Sequence, residues 1–286
     1  MFGYRTLGFG SFPSRGSGMA ATGGTITAHG AYTVHTFTSS GTFSVSALSA
    51  TELVESIVVG GGGASTNSNG HGGAGAGGLA HSTEFTVAVQ DYTITVGAGG
   101  AMSDSPANGA NSSIDSFPVG LGGGKSQGST TASTRNGGSG GGGGHANPGV
   151  AGGSALQPNQ GTGSSTTNYG NDGGSSYYGN HYPGGGGGGA GSAGGNGSSG
   201  GDDSGGAAGT GGAGQDFGSF AGTGVGDGGY FASGGAAGQY NGTGPDAAQG
   251  GGGDRNNGVN GSANTGGGGS TGGAGGSGVV IIRYLT

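Results

Sequence analysis

Several carboxylates in this sequence have a type and spacing that could bind a metal ion. The segment GGAGQD (211–216) matches the start of a calcium-binding nonapeptide repeat. However, the repeat requires an apolar residue at the position where this chain has Gly218, and no second copy of the repeat follows nine residues later. Asp216 is therefore a weak metal candidate, and we expect no bound metal. The other carboxylates of this region, which could hold a surface cation or simply be solvated, are Asp202, Asp203, Asp227, Asp246 and Asp254.

Motifs for phosphate binding and catalysis are incomplete. The segment GLGGGKS (120–126) resembles a P-loop, but Val119 stands where glycine is needed, and no helix is predicted after it. Glu52 and Glu55 flank a predicted strand, where solvent-facing carboxylates are usual, and no G-x-S-x-G segment sits between a predicted strand and a predicted helix. The histidines are dispersed without metal-ligand spacing, at positions 29, 35, 71, 81, 145 and 181. We therefore expect neither enzymatic activity nor a cofactor.

Aromatic residues in the second half of the chain are more informative, because they all fall between glycine runs. Tyrosine combines a rigid apolar ring with a hydroxyl group, which suits the recognition of sugars and protein loops. The segment TTNYGNDGGSSYYGNHYPGG (166–185) is the first choice for such a surface. The alternative for all of these aromatic residues, Phe217 and Phe220 included, is that the rings pack across the ends of the glycine-rich bundle as plugs. The candidate binding residues are Tyr169, Tyr177, Tyr178, Tyr182, Tyr230, Phe231 and Tyr240.

Composition excludes several classes of protein. Glycine supplies 88 of 286 residues, but there are only 7 prolines and no strict triplet register, so collagen is excluded. The net charge is -7 and the six Lys and Arg residues are scattered, which argues against nucleic-acid binding. The chain has no Cys for disulfides and no run of 18 apolar residues, so we expect neither membrane insertion nor a secretion signal.

Apolar residues are concentrated in about the first 120 positions and the last ten. Period-two alternation predicts strands in residues 31–48 and again in residues 84–96, with a tight turn or bulge around Gln90 and Asp91. A continuous apolar run predicts a strand buried on both faces at Leu53–Val59. One more short strand is predicted near residues 114–119, and no segment shows helical periodicity.

The closing segment GVVIIRYLT predicts one further buried strand. A sheet exposes its edges unless something pairs with them, and an apolar strand is costly to leave in water. We therefore expect residues 279–285 to return to the N-terminal sheet. The predicted domains are an N-terminal arm (1–24), a small antiparallel β-sandwich (25–121, completed by 279–285) and a glycine-rich insertion (122–278).

The insertion needs a source of stability other than side chains. Ordering a residue costs on the order of 1–2 kcal/mol of backbone entropy, and glycine has no side chain to offset this cost. The extended helix with three residues per turn points its N–H and C=O groups sideways. Glycine lets such helices approach closely enough to exchange backbone hydrogen bonds. The predicted fold class is therefore all-β plus polyglycine II, with a large inserted bundle of polyglycine II helices and essentially no α-helix.

Four segments resemble the glycine-rich domain of bacteriophage tail-fibre and other virion surface proteins: YTVHTFTSSGTFSVSALSATELVESIVVGGGGA, GGLAHSTEFTVAVQDYTITVGAGG, GANSSIDSFPVGLGGG and GGAGGSGVVIIRYLT. The resemblance implies polyglycine II helices that present variable loops to a host receptor, either a cell-surface polysaccharide or an outer-membrane protein. It also implies a place on the exterior of the virion and a homo-oligomer, with a trimer as the usual symmetry. The alternative is a capsid or tail decoration or fibre protein with a structural or weakly adhesive role.

The N-terminal segment MFGYRTLGFGSFPSRG lies outside the sandwich pattern. Aromatic and apolar residues among glycines favour an interface with another protein. We interpret the segment as an arm that docks into another virion protein, and the alternative is a strand edge that packs on its own domain. The docking candidates are Phe2, Tyr4, Leu7, Phe9 and Phe12.

Overall fold

The computed structural model contains thirteen strands in the residues that it describes. The described residues are 18–48, 52–66, 71–115, 118–128, 131–144, 148–160, 165–178, 182–199, 206–238, 244–254 and 258–286. In chain order the strands are β1 (Ala20–Thr22), β2 (Thr25–His29), β3 (Tyr32–Phe37), β4 (Gly41–Ala47), β5 (Leu53–Val59), β6 (Leu79–Thr86), β7 (Asp91–Thr95), β8 (Ser112–Ile114), β9 (Val119–Gly120), β10 (Thr166–Tyr169), β11 (Gln215–Asp216), β12 (Tyr230–Phe231) and β13 (Val279–Leu285).

Two larger antiparallel sheets form the sandwich. One has the order β1-β4-β7-β8-β9, and the other has the order β10-β6-β5-β13-β3-β2. The predicted return of the closing strand is confirmed, because β13 lies between β3 and β5, with Ile281 opposite both Thr36 and Ile57. The strand that comes last in the sequence therefore fills the middle of the six-stranded sheet.

The connections between strands differ from the sequence expectation at two places. β6 pairs with β5 in one sheet and β7 pairs with β4 in the other, so residues 87–90 carry the chain across the sandwich. The expected tight turn or bulge at Gln90 and Asp91 is therefore a crossover between sheets. The single strand expected near residues 114–119 is a short antiparallel pair, β8 and β9.

The middle strands of the six-stranded sheet, β5 and β13, are buried on both faces. Val280, Ile282 and Tyr284 of β13 join a core cluster that also takes Phe43 and Ile94 from the five-stranded sheet. The alternate residues of β13 join a second cluster on the opposite face, together with aromatic residues from the glycine-rich part. The near-continuous apolar sequences of β5 and β13 follow from this double burial.

Helices are short in the described residues, as the sequence predicts. One α-helical turn, α1, spans Gly218–Ala221, and two 3-10 turns span Ala132–Arg135 and Gln157–Asn159. Within the described ranges, none of these helices has the length and hydrophobicity that crossing a membrane requires. The fold is therefore nearly all β.

Glycine segments outside the strands are joined by backbone hydrogen bonds with a regular repeat. In residues 60–65 every third N–H group donates to the same neighbouring segment. The first set donates to residues 75–78, the second to residues 107–110, and the third to residues 273–276. Successive N–H groups thus donate in turn to three different neighbouring segments. A helix with three residues per turn requires this pattern. The polyglycine II assignment itself stays a prediction.

The array formed by these segments extends beyond the predicted insertion. Residues 60–66, 71–78 and 97–111 belong to it, although they lie in the range predicted for the sandwich. Strand β1 in turn begins at Ala20, inside the range predicted for the arm. The sandwich and the array are therefore interleaved along the chain.

The two ends of the molecule differ in which parts of the chain they contain. Thr286 donates its N–H to the carbonyl oxygen of Ala31, and Gly18 lies beside Thr286, so both flank the sandwich at what we call the termini end. The glycine segments leave the sheets and turn at the opposite end, which we call the loop end. There Gly184 donates to Gly238, and Gly238 donates to His71, with N to O distances of 3.2 and 3.1 Å.

Candidate functional site

Three tyrosines lie together at the loop end. Tyr177 and Tyr178 finish one glycine segment with 44% and 47% of their surface exposed, whereas Tyr182 is half-buried and begins the next segment. The two segments are tied by a hydrogen bond of 3.1 Å from the N–H of Tyr177 to the carbonyl oxygen of Pro183. Glycine-rich backbone on both sides therefore fixes where these rings emerge.

Tyr182 has a backbone conformation that is unusual for an aromatic residue. Its φ angle is +46°, in the left-handed region where a Cβ atom is disfavoured. Its ring lies 6.4 Å from that of Tyr178 between centroids, with the planes inclined at 46°. Strain of this kind costs on the order of 1–3 kcal/mol and is concentrated at functional sites. We therefore treat Tyr178 and Tyr182 as the centre of the candidate site.

The described segments around these rings are largely uncharged. The described segments that pack beside them include 148–151, 174–178, 194–199 and 206–210, and none of the residues in these four segments carries a charge. Their polar groups largely hold the segments together: Asn196, for example, accepts a hydrogen bond of 2.7 Å from the N–H of Ser175 through its Oδ1. Recognition here would rest on aromatic faces and neutral hydrogen bonds.

Other aromatic candidates lie at the sheets, away from the loop end. Tyr169 in β10 is half-buried and contacts the Phe217 ring edge to face at 6.0 Å. Tyr230 in β12 is half-buried, and Phe231 beside it is fully buried in the second core cluster. A fully buried ring offers no surface to a ligand, so Phe231 is removed from the candidates. Tyr240 lies outside the described residues.

Phe231 and its neighbours instead pack residues 215–231 onto the six-stranded sheet. The guanidinium of Arg283 lies over the rings of Tyr32 and Phe220, at 4.2 and 3.9 Å from their centroids. It also pairs with Glu55 at 2.7 Å and donates to the carbonyl oxygen of Phe220 at 2.9 Å. Phe217, Phe220 and Phe231 therefore pack against the six-stranded sheet and not across the ends of the glycine segments.

Our sequence reasoning missed the Arg283 contacts. The available signal was a single charged residue inside an otherwise apolar strand, which predicts a partner on the neighbouring strand. Glu55 is that partner and stands opposite Arg283 in the β5–β13 register. Register cannot be read before the pairing of distant strands is known.

His35 is fully buried in the sandwich, and His81 is half-buried on the six-stranded sheet. Burial lowers the pKa of His35, although its Nδ1 lies 2.8 Å from the carbonyl oxygen of Gly23. Burial also lowers the pKa of His81, which packs against Phe217 and Phe220, and the attraction of Glu55 only partly opposes this effect. Both side chains are placed as parts of the core, away from the tyrosines.

The remaining candidates gain no further support. Oδ1 of Asp216 accepts a hydrogen bond of 2.8 Å from the N–H of Gly218, and among the described residues no three metal-binding side chains converge. The docking candidates Phe2, Tyr4, Leu7, Phe9 and Phe12 lie outside the described residues, so the docking interpretation stays a prediction.

Comparison with known proteins defines the family. No curated protein gives a significant match to the chain. The model of the glycine-rich domain family matches residues 38–285, which begin just after β3 and end with β13. The match thus includes most of the sandwich and all of the glycine array that follows β5. Because it covers most of the sequence, the chain belongs to the glycine-rich domain family.

Proposed function

We propose that this protein is a non-enzymatic bacteriophage virion protein, a tail fibre or fibre-tip protein that attaches the particle to the host surface. The observation that carries the proposal is the exposure of Tyr177 and Tyr178 at the loop end, opposite the termini end. The resemblance of four sequence segments to virion surface proteins supports the same function. The protein would work on the exterior of the virion, without a cofactor.

The candidate receptor site is the group formed by Tyr177, Tyr178 and Tyr182. Tyrosine gives a large contact area at low entropic cost because its side chain has few rotatable bonds. A host polysaccharide would stack on the rings, whereas a loop of an outer-membrane protein would pack against them and bond to their hydroxyl groups. The neutral surroundings are compatible with both receptor classes.

Attachment to the particle would use the other end of the molecule. Gly18 lies beside Thr286 at the termini end, so the segment with Phe2, Tyr4 and Phe9 joins the sandwich there. An arm at this end would bind another virion protein and leave the tyrosines pointing outward. The resemblance favours a trimer for the assembled protein.

A structural role as a capsid or tail decoration is the second candidate. The observation that favours it is that Phe217, Phe220 and Phe231 are used for internal packing and offer no ligand surface. Cryo-electron microscopy of the intact particle separates the two functions. Attachment requires the protein at the outer end of a tail appendage with residues 166–185 facing outward, whereas a decoration protein would coat the head or seal a junction.

Replacement of Tyr177, Tyr178 and Tyr182 by Ala tests the receptor site. We expect loss of particle adsorption to host cells with an almost unchanged melting curve, because two of the three rings are largely exposed. Leu285→Ala is the matched control, since Leu285 is 60% exposed at the termini end. Normal adsorption of the triple variant would overturn the assignment of the site.

A further inference from the structure

The six-stranded sheet has an unprotected edge at β2. This strand pairs with β3 on one side, and no described residue pairs with its other side. The side chains of Thr25, Ile26, Thr27 and Ala28 are all exposed. Such an edge presents a row of unpaired N–H and C=O groups, which is a template for another strand.

The other edges of the two sandwich sheets are protected in ways that β2 is not. β1 has three residues and an irregular register between Ala20 and Ala21, and β9 has only two residues. β10 has four residues and is covered by a 3-10 turn, from which Gln157 donates to Oδ1 of Asn168 at 3.0 Å. β2 has five residues in regular register, without Pro, Lys or a bulge. Short strands, bulges and covers are the usual protection against edge pairing.

We propose that β2 pairs with β2 of a second copy of this chain, which joins two six-stranded sheets into one. The pairing is antiparallel, and a two-fold axis passes beside Thr27. It is an isologous contact, in which each copy uses the same surface. The proposal does not depend on the receptor site.

The sequence of β2 is complementary to itself in this arrangement. Thr27 stands opposite Thr27 of the second copy, and Ile26 stands opposite Ala28, so a large side chain meets a small one. Thr25 stands opposite His29, and no acidic residue or lysine is brought against a like charge. Thr–Thr pairs and uncharged neighbours stabilise antiparallel strands. Pairing would also cover Ile26, which is 50% exposed.

A second copy would have to approach the six-stranded sheet from the side of the unpaired edge of β2. On one face of β2, Gly222 approaches the His29 ring, so the segment that includes α1 covers the end of that face. The hydrogen-bonding edge is not covered by any described residue. The two-fold symmetry of edge pairing differs from the three-fold symmetry that the resemblance implies, so the mass of the assembly discriminates between them.

Charge substitutions at Thr27 test the proposal with the full-length chain. Light scattering after gel filtration should show the wild-type protein approaching twice the 26.0 kDa chain mass as its concentration rises. Thr27→Lys and Thr27→Glu should each give monomers, because like charges meet at the axis. An equimolar mixture of the two should recover the doubled mass. Thr93→Lys, at an exposed position of β7, should dimerise like the wild type.

Several outcomes would overturn the proposal. These are a wild-type mass of one or three chains at every concentration, or a doubled mass that persists in Thr27→Lys. Deletion of residues 2–16 provides a further test. Dimerisation only after this deletion would show that the N-terminal segment occupies the edge, and would equally overturn the pairing. Circular dichroism checks the fold, and the double variant Thr25→Lys, His29→Lys, which places two lysines opposite each other on both sides of the axis, replaces any Thr27 variant that does not fold.

Discussion

The sandwich and the glycine array are stabilised in different ways, although they share one chain. In the sandwich, large side chains such as Phe43 and Ile281 fill a core between and behind the sheets. In the array, the neighbour of a glycine Cα is usually the backbone of another segment, and hydrogen bonds run in three directions. The comparison teaches that a region poor in hydrophobic residues can be ordered when the absence of side chains allows the backbones to meet.

The largest expected effect comes from a single methyl group in the array. A Cβ atom on Gly62 would overlap the carbonyl oxygen of Gly267, and neither backbone can move without disturbing its other neighbours. We expect Gly62→Ala to lower the free energy of unfolding by about 3 kcal/mol or more. Gly224→Ala is the control, since nothing lies within 4 Å of its added carbon. Similar urea unfolding curves for the two variants would contradict the backbone-packed array.

A cavity in the sandwich should have the next largest effect. Ile281 is fully buried in the middle strand of the sheet. We expect Ile281→Ala to lower the free energy of unfolding by about 2–5 kcal/mol, as for other buried large-to-small changes. Leu285→Ala in the same strand should have almost no effect because its side chain is mostly exposed. Chemical denaturation measures both, and equal losses would show that β13 does not occupy the core.

The contact between the two regions should be weaker than either core. Arg283→Gln removes the ion pair with Glu55 and the stacking on Phe220, and we expect a loss of about 1–3 kcal/mol. Residues 215–231 should then become more sensitive to limited proteolysis. A double-mutant cycle with Glu55→Gln measures the pair alone. No coupling between the two substitutions would show that the pair does not hold this segment.

The smallest expected effect is a dependence on pH from His35 and His81. Both pKa values are lowered in the folded protein by burial, so the unfolded chain binds protons more readily. Stability is therefore fully present above the ordinary histidine pKa of about 6.5 and falls as the pH drops below it. We expect a lower urea midpoint at about pH 5.5 than at pH 7.5. His81→Gln should reduce this difference, and an unchanged difference would exclude His81 as a cause.

The features of the sandwich that depend on local sequence pattern could be predicted from the sequence. The alternation in β4, the double burial of β5, and the return of β13 to the sheet follow from apolar periodicity and the cost of open edges. The crossover at residues 87–90 could not be predicted, because the same residues fit a hairpin. The burial of Phe217, Phe220 and Phe231 could not be predicted either, because their sequence context is that of exposed loop residues. Their burial depends on which distant strand the segment packs against.

The place of β13 has a consequence for the synthesis of the chain. Arg283 and Glu55 are separated by 228 residues, yet they are neighbours across the middle of the sheet. While the ribosome is still making the array, β3 and β5 have no strand between them, and contacts over such separations form slowly. A chain shortened before Val279 would keep its apolar edges open. The native sandwich is therefore accessible only to a chain that has been translated through β13.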